Sequence, residues 1–392
     1  MGPNRWLMLG VGMLAQVAGT VLSNAPLFLI PYLHLERGLT LVESGLLAST
    51  PFASLTVSLV AWGAIVDRIG ERLSLSVGLA IVTAGGLGAA LSTSYLWLAI
   101  FWLVAGVGAA STNSASGRLV LGWFPQHQRG TAMGIRQTAL PIGVGLSAFV
   151  VPVTAEAQGL RAALLVPVVL CAVATVAVVA VVADPPRPTR AEAEHTGQLL
   201  NPYRGSRRLA RIHVASMLLV VPQITVWTYA LVWLIDERDW STTAAGALVG
   251  SVQLLGAAGR IGVGWWSDRV GGRLGPMRVV ALWTVVTMLA LGLLERTDAA
   301  VALLVVAAVV TVASNGLAFT AVAELGGPFW SGRAMGVHNT GQYLTGALVP
   351  PLVGAVVTQS GYAVAFLAVG AFALVAVPIV PVRGERDTSR TP

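Results

Sequence analysis

Gly63-Ala64-Ile65-Val66-Asp67-Arg68-Ile69-Gly70-Glu71-Arg72-Leu73 is a short charged stretch joining two long apolar runs, residues 41–66 and 73–93. Its glycines permit a tight turn and close helix approach. Its arginines resist entry into hydrocarbon, so the stretch marks a boundary between membrane and water. The same skeleton returns 201 residues later as Gly264, Asp268, Arg269, Gly271 and Arg273, again between two apolar runs. Working outward, Glu36-Arg37 returns at the same offset as Glu237-Arg238, and Gly45 as Gly246. With the offset grown by one, Gly130, Ala132, Met133, Gly134 and Thr138 match Gly332, Ala334, Met335, Gly336 and Thr340. Separate regions that stay in step to within one residue predict an internal duplication, a sign of carriers built from repeated halves.

The rest of the chain fits that frame. Apolar runs long enough to span a bilayer fall near 6–33, 41–66, 73–93, 95–122, 131–155 and 160–183, then near 211–235, 242–266, 277–295, 298–324, 333–358 and 361–382. The prediction is an all-α polytopic membrane protein of twelve transmembrane helices in two pseudo-symmetric six-helix bundles. Residues 1–183 form the N-terminal bundle, 184–210 a cytoplasmic linker, and 211–392 the C-terminal bundle with a short cytoplasmic tail. The linker opens with Asp184-Pro185-Pro186-Arg187-Pro188 and closes with Arg204, Arg207, Arg208 and Arg211, the composition of a flexible hydrophilic connection whose arginines suit anionic lipid.

Composition excludes most other classes. Of 392 residues, 55% are hydrophobic and 10% charged, with a mean hydropathy of +0.77. Soluble domains carry about 25% charged residues, so no room remains for a soluble catalytic domain, a nucleotide-binding cassette or a nucleic-acid module. The net charge of +7 is spread over short loops rather than gathered on one face, which argues against nucleic acid as a partner. The single cysteine, Cys171, lies inside an apolar run, so neither an intramolecular disulfide nor a cysteine metal site is expected. The first apolar run continues to about residue 33, longer than a signal peptide needs, and reads as a retained span. If both termini are cytoplasmic, only Arg37, Arg161, Arg238 and Arg296 of the 24 basic residues face outward. That positive-inside bias predicts a multi-pass protein of the cytoplasmic membrane with both ends inside.

The stretch at 63–73 resembles the G-x-x-x-D-R-x-G-R-R loop of the major facilitator superfamily, and the second copy shares its skeleton, with Glu71 and Gly272 standing where the family often has a basic residue. The resemblance implies a transporter rather than an enzyme, working by alternating access, with the halves rocking about a site near mid-membrane. It implies that Asp67 faces the start of the eleventh span near Gly332, and that Asp268 faces the start of the fifth near Gly130. Those contacts would close the cytoplasmic side. Gly63, Asp67, Arg68, Gly70, Arg72 and Arg118, with Gly264, Asp268, Arg269, Gly271 and Arg273, are the expected gating residues. The fifth span carries Leu140-Pro141-Ile142-Gly143 in place of the Gly-Pro pair of the drug/proton antiporters, which weakens an efflux reading.

Polar side chains inside the spans nominate the binding site, because they are costly in hydrocarbon and usually face the bundle interior or a wet cavity. The first span carries Gln16, Thr20, Ser23 and Asn24 on one helical face, and the fourth carries Ser111, Thr112, Asn113 and Ser116. Gln223 and Trp227 lie in the seventh, Asn315 in the tenth, and Asn339, Gln342 and Tyr343 in the eleventh. The family resemblance implies that these spans line the cavity. Gln137 and Asn339 occupy matching repeat positions, as do Arg136 and His338. The competing reading for any one amide is hydrogen bonding between helices without contact to substrate. Arg136 within reach of a cavity suits an anionic substrate, since guanidinium binds carboxylate or phosphate in bidentate fashion; snorkelling to headgroups is its other reading. Arg260 adds a further charge in the eighth span.

No carboxylate is expected at mid-depth, which leaves Glu324 and His338 as candidates for proton coupling; a facilitator, or coupling to an anion, is the alternative. Trp62, Trp123, Trp265, Trp266 and Trp330 read as interfacial anchors. The expected partners are a small-molecule substrate, a coupling proton or anion, and the lipid bilayer. The expected form is a monomer, with no cofactor and no metal. The substrate class suggested is a small organic anion or similar metabolite. An exporter of amphipathic compounds or drugs shares the fold, and a polytopic sensor or membrane enzyme is the alternative of another class. Against the enzyme, no H-E-x-x-H or G-x-S-x-G motif occurs.

Overall fold

A computed structural model describes residues 4–383 and 385, and the described residues are helical without a strand. In chain order the helices are α1 (Arg5–Phe28), α2 (Ile30–Leu35), α3 (Leu41–Ile69), α4 (Glu71–Leu91), α5 (Tyr95–Trp123), α6 (Gln126–Arg136), α7 (Ala139–Val181), α8 (Arg190–His195), α9 (Arg208–Asp236), α10 (Thr242–Val270), α11 (Leu274–Leu293) and α12 (Ala299–Ile379). Nine continuous helical segments among the described residues are long and apolar enough to cross a membrane. Two of them hide breaks. Gly159 interrupts α7 at φ 83°, and Gly327 and Gly361 interrupt α12 at φ 63° and 81°. This left-handed backbone suits glycine. Cut at these three glycines, the nine segments become the twelve apolar runs of the sequence.

Two compact units emerge, and neither is a simple half of the chain. The first contains residues 1–124, 138–199 and 326–340; the second contains 125–137, 200–325 and 341–392. The first unit packs Leu29, Leu33, Leu98 and Trp102 into a buried apolar cluster. The second does the same with Trp233, Met288 and Phe366, the Trp233 and Phe366 rings meeting edge to face at 6.3 Å. Side chains such as Val57, Phe149 and Leu254 stay exposed, as expected where lipid is the solvent.

Glycines set the closest helix approaches. A Cβ at Gly63 would lie 2.2 Å from the Gly332 carbonyl oxygen, and one at Gly264 would lie 2.2 Å from that of Gly130. No side chain fits there, so backbone meets backbone at both places. The linker is more structured than its composition suggests. A capping box of Thr189 and Glu192 starts α8, and its donors hold the Glu192 carboxyl below the usual carboxylate range. The Trp330 indole donates to the Leu199 carbonyl at 3.1 Å, and the Tyr203 hydroxyl bonds His213 Nε2 at 2.9 Å.

Candidate functional site

In the first unit, the last turn of α3 delivers Asp67 to a polar cluster. Its carboxylate accepts from the Gly332 amide at 2.8 Å, and from the Arg333 amide and Nε at 3.0 Å each. Arg118, from α5, also pairs with it. Glu71, beginning α4, accepts from Arg118 Nε at 2.9 Å and from Arg187 Nη2 at 2.6 Å. Both carboxylate side chains are 0% exposed. Arg118 closes the network by donating from Nη2 to the Pro328 carbonyl at 2.9 Å. Charges this buried are tolerable only when paired and hydrogen-bonded.

The second unit repeats the backbone part. Asp268 accepts from the amides of Gly130 at 2.9 Å and Thr131 at 2.7 Å, and from the Thr131 hydroxyl at 2.7 Å. Its arginine is Arg273, from the same loop, at 2.6 Å. Arg273 also reaches Glu324 at 3.4 Å and the Gln126 carbonyl, and Arg129 lies 3.6 Å from Glu324. Glu324 therefore stands in an ion-pair group at this cluster. Arg68 and Arg269 are exposed and join neither carboxylate, Arg269 lying over the Trp265 ring at 3.9 Å. Arg72 is exposed too and donates to the Val179 carbonyl at 2.6 Å.

Two further acids complete the pattern, and the sequence reading missed them. Asp184 accepts from the amides of Glu71 at 2.7 Å and Arg72 at 2.8 Å, capping α4. Glu385 accepts from the amides of Arg273, Leu274 at 2.6 Å and Gly275 at 3.0 Å, capping α11. Asp184 and Glu385 are 201 residues apart, so the repeat itself carried the signal. Gly70, at φ 92°, leaves space for the first cap, because a Cβ there would fall 2.6 Å from Asp184 Oδ2. Arg187, read as part of a flexible linker, instead reaches Glu71 and the Asp67 carbonyl.

The nominated binding residues divide between the units. In the first, Gln16 donates to Asn113 at 3.4 Å and accepts from Ser116 at 3.4 Å, so α1 and α5 are joined by an amide bridge. Asn24 donates to the Thr20 carbonyl and Asn339 to the Met335 carbonyl, each within its own helix. His338 is 1% exposed. In the second, Asn315 donates to Gln223 at 3.0 Å. Arg136 donates to Gln137 Oε1 at 3.0 Å and lies over the Phe319 ring at 5.6 Å. At 3% exposure it is enclosed by protein, so the snorkelling alternative does not describe it. Gln342 and Tyr343 are half-buried in the same unit, and the Gln342 amide nitrogen is sealed without a hydrogen-bond acceptor among the described residues. Trp227 lines a small, partly open pocket with Gln253, Val226, Leu248 and Leu304. Trp62, expected at an interface, is buried, its indole donating to the Val107 carbonyl at 2.6 Å. A polar acceptor on the neighbouring helix removes its reason to seek headgroups. Among the described residues, no group of His, Cys, Asp and Glu is placed to hold a metal.

Comparison with known proteins agrees with this architecture. An uncharacterized MFS-type transporter of Mycobacterium tuberculosis is 45% identical over 97% of this chain and 85% of its own length. A probable hexose phosphate transport protein of Chlamydia trachomatis is 24% identical over 67% of this chain and 65% of its own. Among solved structures, the human organic anion transporter MFSD10 shares the fold at a TM-score of 0.76, with 17% identity over 97% of this chain and all of the other. The profile of the Major Facilitator Superfamily matches residues 9–350. These matches join the repeated loops and apolar helices in one conclusion: the chain belongs to the Major Facilitator Superfamily of membrane transporters.

Proposed function

We propose that the protein is a secondary or facilitative carrier that moves a small organic anion across the cytoplasmic membrane by alternating access. The observation that carries the anionic substrate is Arg136, a guanidinium enclosed by protein at 3% exposure, bonded to Gln137 and lying over Phe319. A planar fork of donors in such a setting suits carboxylate or phosphate. The name of the Chlamydia relative, a hexose phosphate transport protein, points to the same class of solute. The amide pairs Gln16–Asn113 and Asn315–Gln223 supply neutral groups for a polar solute body. Residues 1–183 and 211–392 serve as the repeated halves and 184–210 as their cytoplasmic linker, with both termini inside. The Asp67 and Asp268 clusters hold the cytoplasmic side closed, and their release is part of the cycle. Glu324, in the ion-pair group with Arg273 and Arg129, and the buried His338 are the two candidates for a coupling proton.

Flux into proteoliposomes tests this reading. With glucose 6-phosphate and glucuronate as probes, wild-type protein should equilibrate at least one of them, and Arg136→Ala should slow that flux at least tenfold. Unchanged anion flux in Arg136→Ala, or uptake of glucose in preference to both anions, would overturn the anionic reading.

A further inference from the structure

Arg260 lies in α10 on a buried stripe formed by Val252, Gly256, Arg260, Gly264 and Ser267. It is 3% exposed, and its Nε is sealed without a hydrogen-bond acceptor. Among the described residues, nothing accepts a hydrogen bond from its guanidinium or forms an ion pair with it. Other buried arginines differ: Arg118 has Asp67 and Glu71, and Arg273 has Asp268. Guanidinium keeps its proton at any biological pH, so burial cannot be relieved by neutralisation. An arginine retained only for the fold would be expected to hold a carboxylate or carbonyl, because an uncompensated charge in a spanning helix is costly.

The surroundings are small and crowded by backbone. Gly256 and Gly264 flank Arg260 one turn away on either side. A Cβ at Gly134 would lie 2.6 Å from the Arg260 carbonyl, so α6 and α10 touch here within one compact unit. Two residues beyond Gly134, α6 carries Arg136. The same unit thus holds two enclosed arginines on helices in contact. Gln253 stands two turns from Arg260 along α10, at the pocket that also contains Trp227.

We infer that Arg260 is a second anion-binding residue, and that with Arg136 it selects a small solute bearing two negative charges, a phosphate monoester or a dicarboxylate. The inference rests on the carrier reading and narrows its substrate class. A solute that supplies the counter-charge to Arg260 ties occupancy to stability.

Thermal unfolding of the purified full chain tests the inference, with glucose 6-phosphate, succinate and glucose as probes. Wild-type protein should gain stability with glucose 6-phosphate or with succinate, the responding probe identifying the dianion, and not with glucose. Arg260→Gln should unfold no earlier than wild type when no probe is present, because it deletes an uncompensated charge, yet bind the responding dianion at least tenfold more weakly. Arg260→Lys should recover part of that affinity. The inference is overturned if neither dianion stabilises wild type, if Arg260→Gln binds the dianion as wild type does, or if both Arg260 variants unfold early or fail to fold, which marks a structural residue. If Arg136→Gln loses binding and Arg260→Gln does not, Arg260 is excluded while the carrier of organic anions stands. If glucose stabilises as well as the dianions and neither arginine matters, the anionic reading itself falls.

Discussion

The loop around Asp67 and its repeat around Asp268 perform one task with different charges. In each, a carboxylate at the end of a spanning helix receives two consecutive amides, Gly332 and Arg333 or Gly130 and Thr131. In each, a glycine lets the backbones touch, and an acid 201 residues from its counterpart caps the next helix. The countercharges differ. Glu71 sits where the second copy has Gly272, so the first loop buries two carboxylates and draws Arg118, Arg187 and Arg333 from three distant places. The second buries one carboxylate and satisfies it with Arg273 from its own loop. Backbone geometry is the part the duplication kept. The ion pairs diverged because any arginine that reaches a buried carboxylate will neutralise it.

That contrast can be broken by substitution, beginning where the burial is deepest. Arg118→Ala leaves Asp67 and Glu71 short of a countercharge together and should cost about 3–5 kcal/mol, the usual penalty for stranding a buried ion. Arg273→Ala strands Asp268, which keeps three uncharged donors, and leaves Glu324 with Arg129, and should cost about 1.5–3 kcal/mol. Thermal unfolding in detergent ranks the two, and a larger loss for Arg273→Ala would show that the first loop is not the more charge-dependent one. Asp184→Ala and Glu385→Ala should each cost about 1 kcal/mol, the ordinary value of a helix N-cap. Equal losses would support a cap conserved by the duplication, whereas an effect at only one site would separate the halves. The smallest pair is Arg68→Ala and Arg269→Ala. The first should leave stability unchanged, and the second should lose about 0.5–1 kcal/mol with its stack on Trp265.

Much of this was legible in the sequence for physical reasons. Apolar runs must match bilayer thickness, so the spans were visible as composition. The Asp67–Gly332 and Asp268–Gly130 contacts followed from resemblance at the repeated loops. The capping roles of Asp184 and Glu385 and the bridging role of Arg187 were not legible, because an acid or arginine just past an apolar run looks like the start of a solvated segment. Their partners lie more than a hundred residues away, where spacing carries no signal. The amide pairs were nominated one by one, but which amide meets which depends on helix rotation. Trp62 was misplaced for a similar reason: the acceptor that buries its indole, the Val107 carbonyl, is on another helix.

The proposal at the centre of the account is that Asp67 and Asp268 hold the cytoplasmic side closed, leaving the resting carrier open to the outside. Labelling with a membrane-impermeant thiol reagent tests it most directly, using a Trp227→Cys reporter at the pocket with Cys171 replaced by serine. The account predicts rapid labelling from outside in the otherwise wild-type protein, and a severalfold fall in that rate when Asp67→Asn is added. An identical outside labelling rate with Asp67→Asn, in protein that remains folded, would contradict it.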